Sequence, residues 1–87
     1  MNVETLQDLI LLHINNKTTY LSNVHVVKHS NSLFKYTSLH FKYNGIDVEI
    51  KIYNSSFIQI KIDNNLGKVC DSLSNVRFEI DKLFAYR

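Results

Sequence analysis

The chain has no proline and no tryptophan, and its 87 residues include only two glycines, one cysteine and one alanine. A single cysteine, Cys70, leaves no internal disulfide framework and no cysteine-based zinc site. Two glycines are too few for the loops that cradle phosphates, and there is no Walker-type lysine or nucleophile elbow. No apolar run approaches the roughly 18 residues that span a bilayer; Leu9–Leu12 is as long as any. Charge of one sign never gathers: ten Lys and Arg stand against eight Asp and Glu, for a net +2. Nucleic-acid binders concentrate Lys and Arg, and only two Arg are present; a DNA mimic would need a dense acidic face.

What is present is a globular balance, 45% apolar and 21% charged, which excludes intrinsic disorder. At this length residues 1–87 make one domain with one modest core, without linker, repeat or low-complexity segment. The favoured residues, Asn, Ile, Lys, Tyr and Phe, share AT-rich codons, the composition of a low-GC bacterium, its phage or its plasmid. Glu4 and Asp8 stand where a signal peptide would carry basic residues, so a cytoplasmic location is expected.

Residues 3–14 predict a helix, with Val3, Leu6, Leu9, Ile10, His13 and Ile14 on one stripe, Asn2 as cap and Asn15-Asn16 as its end. The period then falls to two. Asn44-Gly45 is the preferred pair for a two-residue hairpin turn. It sets Tyr43 opposite Ile46, Phe41 opposite Val48, Leu39 opposite Ile50 and Thr37 opposite Ile52. The other face then pairs Lys42 with Asp47 and His40 with Glu49. A three-residue loop, Asn54-Ser55-Ser56, keeps Ile58, Ile60 and Ile62 on the apolar face, with Ile52 opposite Ile58 and Glu49 beside Lys61. A single bent strand from Ile46 to Ile62 is the competing reading. Strands are expected at 19–28, 33–43, 46–53 and 57–63, with a turn at Ser30-Asn31. Strand one faces the core either with Tyr20, Val24 and Val26 or with Leu21, His25 and Val27; the turn favours the first. From Leu66 to the end, Leu66, Val69, Cys70, Leu73, Val76, Ile80, Leu83 and Phe84 form a helical stripe, weakened at Ser74-Asn75. The expected architecture is α+β: an antiparallel meander of three to four strands with both helices on one face, in the order α-β-β-β-β-α.

The outer face of that sheet is the candidate functional surface. It carries Tyr36, Tyr53 and Phe57 side by side, with Phe34 one step away and His25 as a continuation on strand one. Nothing left in the sequence forms a third layer over them. A contiguous apolar patch on a small protein marks a partner surface, a homodimer included; plain cross-strand pairing of rings is the structural alternative. His40, Lys42, Lys51 and Lys61 share the face. Aromatics interleaved with lysines serve single-strand and RNA binding elsewhere, although Asp47 and Glu49 offset these lysines. His25 and His29 are four apart, roughly 13 Å along a strand, too far to share an ion. His13 reads as a hydrogen-bonded core histidine and Cys70 as a buried small hydrophobe. No catalytic constellation, cofactor site or metal site is expected.

Two resemblances follow from these elements. The helix-sheet-helix order resembles the double-stranded-RNA-binding domain. Leu66-Gly67-Lys68-Val69-Cys70, however, stands where that family carries paired lysines and an alanine against phosphates. The chain also resembles the small anti-CRISPR proteins of phages of low-GC bacteria. The likeness lies in length, element order, the opening Met1-Asn2 with Asp8-Leu9-Ile10, Asn16-Lys17 before the first strand, and the Asn44-Gly45 hairpin. That resemblance implies a non-catalytic inhibitor in the host cytoplasm. It would occlude a host protein such as a CRISPR effector nuclease, or hold it inactive, by protein–protein contact. The family's best-known members are strongly acidic and mimic DNA; a net +2 does not carry that property over. The alternative function is a small nucleic-acid-binding protein using the open sheet face.

Overall fold

A computed structural model describes residues 2–17, 24–30, 35–43, 45–63, 65 and 67–85. Helix α1 covers Val3–Lys17. Its cap is Asn2, whose Oδ1 accepts from the Thr5 backbone N–H at 2.7 Å. Leu6, Ile10 and Ile14 of the expected stripe are buried. The helix runs through Asn15 and Asn16, which were expected to end it. Asn in a helix interior costs only part of a kcal/mol relative to Ala, about 0.7 at most.

Five antiparallel strands follow in sheet order β1-β2-β3-β4-β5: His25–Ser30, Lys35–Tyr43, Ile46–Asn54, Phe57–Ile62 and Lys68–Cys70. The register of β2 on β3 is the one that the hairpin dictates, Tyr43↔Ile46 through Thr37↔Ile52. Gly45 sits at φ +82°, which its missing Cβ permits. β3 and β4 form a hairpin, with Ile52↔Ile58, Ile50↔Ile60 and Glu49↔Lys61. The expected three-residue loop Asn54-Ser55-Ser56 is corrected: Asn54 belongs to β3 and pairs with Phe57. The extra residue is taken up by a bulge between Ile52 and Asn54 before a two-residue turn at Ser55-Ser56, where Asn54 Oδ1 accepts from the Ser56 N–H at 2.8 Å. Beyond β4, Asp63 adopts φ 51° and locks the strand end to β3 by two bonds. Its N–H donates to the Asp47 carbonyl at 2.8 Å, and its Oδ1 accepts from the Asp47 N–H at 3.0 Å.

β1 pairs with β2 as Val26↔Leu39, so Val26 lies on the inner face and His25 and Val27 on the outer one, the first of the two expected options. The register is longer than a turn at Ser30-Asn31 allows: Ser30 is in the strand, and residues 31–34 lie outside the described residues, as do 18–23 with Tyr20 and Leu21.

The stretch 68–70 corrects the expectation of one long final helix. It is strand β5, paired as Ile58↔Cys70, Gln59↔Val69 and Ile60↔Lys68, so the sheet has five strands. Gly67 makes this possible. A Cβ there would stand 1.4 Å from the Ile60 carbonyl oxygen, so no other residue allows β5 to approach β4 so closely. Helix α2 is Leu73–Ala85 and starts at Ser72, whose Oγ accepts from the Asn75 N–H at 3.2 Å. Ser74 and Asn75 therefore fill its first turn, where such residues are favoured, and do not weaken its middle.

One core joins these elements. Leu6, Ile10 and Ile14 of α1 and Val76 and Ile80 of α2 bury against Leu39, Phe41, Val48, Ile50, Ile52, Ile58 and Ile60, with Cys70 of β5. Each fully buried Leu or Ile is worth about 1.5–3 kcal/mol. His13 Nε2 donates to Asp81 Oδ1 at 2.8 Å and ties α1 to α2, as expected of a hydrogen-bonded histidine. Tyr43 packs against Phe84 of α2, ring centroids 4.5 Å apart and planes inclined by 55°. The fold is α+β in two layers: an open five-stranded antiparallel sheet with both helices on one face. No helix among the described residues is long and apolar enough to cross a membrane.

Candidate partner-binding face

Both helices pack on the odd-numbered residues of β2, so its even-numbered residues face away from them. Tyr36, Ser38, His40 and Lys42 lie on this outer side. Their neighbours across β3 and β4 are Lys51 and Gln59, then Glu49 and Lys61, then Asp47. Ser38, opposed by Val27 and Lys51, is fully buried in the floor between taller side chains.

The face divides into two ends. At the β3–β4 turn, the bulge leaves Tyr53 without a cross-strand partner on β4 and turns its ring between those of Tyr36 and Phe57. Tyr36 and Tyr53 lie with centroids 5.0 Å apart and planes tilted by 34°. Tyr53 and Phe57 meet edge to face, also at 5.0 Å. Such contacts add about 0.5–1.5 kcal/mol each beyond burial. Phe57 remains 45% exposed, and Tyr36 and Tyr53 are half-buried. The Lys51 ammonium leans over the Tyr36 ring, 5.6 Å from its centroid.

At the Gly45 end charge is matched. His40 Nε2 stands 3.4 Å from Glu49 Oε2, and Lys42 Nζ 3.7 Å from Asp47 Oδ1. Lys61 is in register with Glu49. The sequence-derived set thus separates: Tyr36, Tyr53, Phe57 and Lys51 come together, while His40, Lys42 and Lys61 join the ladder of charges. Phe34 lies outside the described residues. His25 is corrected: it opposes His40, and His29 takes the register position beside Tyr36, because β1 slides four residues relative to a turn at Ser30-Asn31.

Two features escaped sequence reasoning. The bulge at Tyr53 is the first, although the parity needed between Ile52 and Ile58 signalled an extra residue there. The second is Val69, 60% exposed on the outer side of β5. Elsewhere, Cys70 is buried, and its thiol is pushed above its ordinary range by burial and by Glu79 and Asp71. Among the described residues no three His, Cys, Asp or Glu side chains converge as metal ligands would.

No protein-family model, curated protein or solved structure matches the chain. Function is therefore read from its surface chemistry.

Proposed function

We propose that this chain is a non-catalytic binding protein whose working surface is the Tyr36–Tyr53–Phe57 row on the helix-free side of the sheet. In the manner that its resemblance to anti-CRISPR proteins implies, it inhibits a host protein such as a defence nuclease by covering it or holding it inactive. The supporting observation is the unbroken ring row with Phe57 45% exposed. Exposed rings at the centre of an interface supply much of its energy, often about 2 kcal/mol or more each.

The double substitution Tyr53→Ser/Phe57→Ser tests this reading. It should abolish capture of a protein partner. The melting temperature should fall by only a few degrees, because the rings contribute pairing energy and are not part of the core. Capture by the native chain should persist when salt rises from about 50 to about 300 mM, since apolar contacts are not screened. A double variant that stays folded and captures the same partner equally well sinks the assignment.

The second reading, nucleic-acid binding, is favoured by Lys51 over the Tyr36 ring. It calls instead for recovery of nucleic acid at low salt only, because each neutralised phosphate releases counterions.

A further inference from the structure

The charges of the outer face are not spread evenly. The strand carboxylates on this side, Asp47 and Glu49, both sit at the Gly45 end, where Lys42 and His40 lie against them. Asp63, bonded to the Asp47 N–H, belongs to the same end. Lys51 is different. Its neighbours across the sheet are Ser38 and Gln59, both uncharged. It stands two residues from Glu49 on the same side of β3, yet its ammonium reaches toward the Tyr36 ring. No ion pair joins Lys51 to any carboxylate among the described residues, and all eight Asp and Glu of the sequence are among them. Asp71, which follows β5, accepts a hydrogen bond from the side chain of Asn75 at the start of α2. On the outer side of the aromatic end the Lys51 ammonium is thus held on a ring, unpaired with any carboxylate among the described residues, beside an exposed Phe57.

Resting on the reading that the ring row is the working surface, we propose that its partner is a protein segment carrying a carboxylate beside apolar side chains. The carboxylate meets the Lys51 ammonium, and the apolar groups cover Phe57 and the edge of Tyr53. A ring-held ammonium is already partly ordered, so little side-chain freedom is lost when it pairs. Ring geometry disfavours stacked bases. The planes of Tyr36 and Tyr53 are tilted by 34°, and Tyr53 meets Phe57 edge to face, so the three rings are not parallel. Single strands are bound on flat platforms of open ring faces, which tilted and edge-on rings do not offer side by side.

The test uses the full chain and three labelled ten-residue peptides of alternating Leu with Glu, Gln or Lys, read by fluorescence anisotropy, with a ten-nucleotide deoxythymidine strand beside them. The Glu peptide should bind about two- to fivefold tighter than the Gln peptide, the size of one exposed charge pair, and the Lys peptide weakest. Lys51→Glu should invert the order of the Glu and Lys peptides while the melting temperature falls by no more than a few degrees, the size of one exposed cation–π contact, whereas Lys82→Glu on α2 should leave the order intact. Phe57→Ser should weaken all three alike. If Lys51→Glu leaves the order unchanged while Phe57→Ser still weakens binding, the carboxylate proposal falls and the ring row stands. If Phe57→Ser changes nothing, the ring row falls. Tighter binding of the deoxythymidine strand than of the Glu peptide, lost in Lys51→Glu, would replace a protein partner with nucleic acid. Sedimentation of the chain alone as a dimer that dissociates in Phe57→Ser would replace it with a second copy. Failure of every probe to bind also overturns the carboxylate proposal.

Discussion

The Cys70 thiol shows how one side chain records its position in the fold. Facing inward at the end of β5, it is held above its ordinary value of 9.0 first by burial, then by Glu79 and Asp71, with Lys68 opposing. The neutral thiol is therefore the form that the folded state prefers. Below its ordinary value both states keep the proton, and this group adds no pH dependence. As pH climbs through that value the unfolded chain ionises first, and folded stability declines until the folded thiol ionises too. The urea midpoint of the native chain, followed from about pH 7 to about pH 10, should fall more than that of Cys70→Ala, whose own midpoint starts lower because of the cavity. An identical decline in both would remove Cys70 from the effect. The same burial predicts slow modification by a thiol reagent at neutral pH.

At the scale of elements, β5 is where local pattern and tertiary structure part company. Leu66, Val69 and Cys70 fit a helical stripe continuing to Val76 and Ile80, and three residues are too few for a period of two to show. The decisive contact is non-local, the backbone of Gly67 against the Ile60 carbonyl. Gly67→Ala should therefore cost about 3 kcal/mol, the upper part of the range for overpacking, because a carbonyl in a ladder cannot step aside without parting β4 from β5. The variant should also expose Cys70 to a thiol reagent, while an unchanged labelling rate and melting temperature would refute the close approach. Legibility elsewhere follows the same logic. The β2–β3 register could be read because Asn44-Gly45 fixes it locally, and parity carried it to β4. The β1 register could not, because its connection through residues 31–34 offers no comparable turn signal. That Tyr36, Tyr53 and Phe57 share the outer face was legible from alternation, whereas the bulge that sets the Tyr53 ring between the other two was not. That Lys51 leans on Tyr36 and not toward Glu49 is a rotamer choice that no spacing encodes.

At the scale of the whole molecule, one core serves every layer. Side chains from α1, β2, β3, β4, β5 and α2 all enter it, and the helices touch each other through His13 and Asp81 as well as the sheet. A domain of this size has about 5 kcal/mol of net stability, so no element keeps its structure once the shared core opens. Two signals report on different layers. Far-UV circular dichroism is dominated by the helices. Tyrosine emission, undisturbed by tryptophan, reports on the sheet through Tyr36, Tyr43 and Tyr53, the tyrosines among the described residues. Their urea transitions should coincide, as two-state unfolding requires. Ile80→Ala, which removes about 2–5 kcal/mol of packing from the α2 side, should shift both midpoints together even though the tyrosines on the outer face lie on the other side of the sheet. If the dichroism midpoint of Ile80→Ala fell while tyrosine emission stayed put, the sheet would be holding itself together without its helices. Its outer face would then have to be supported by something other than the core described, and the ring row could not be treated as a surface mounted on one cooperative unit.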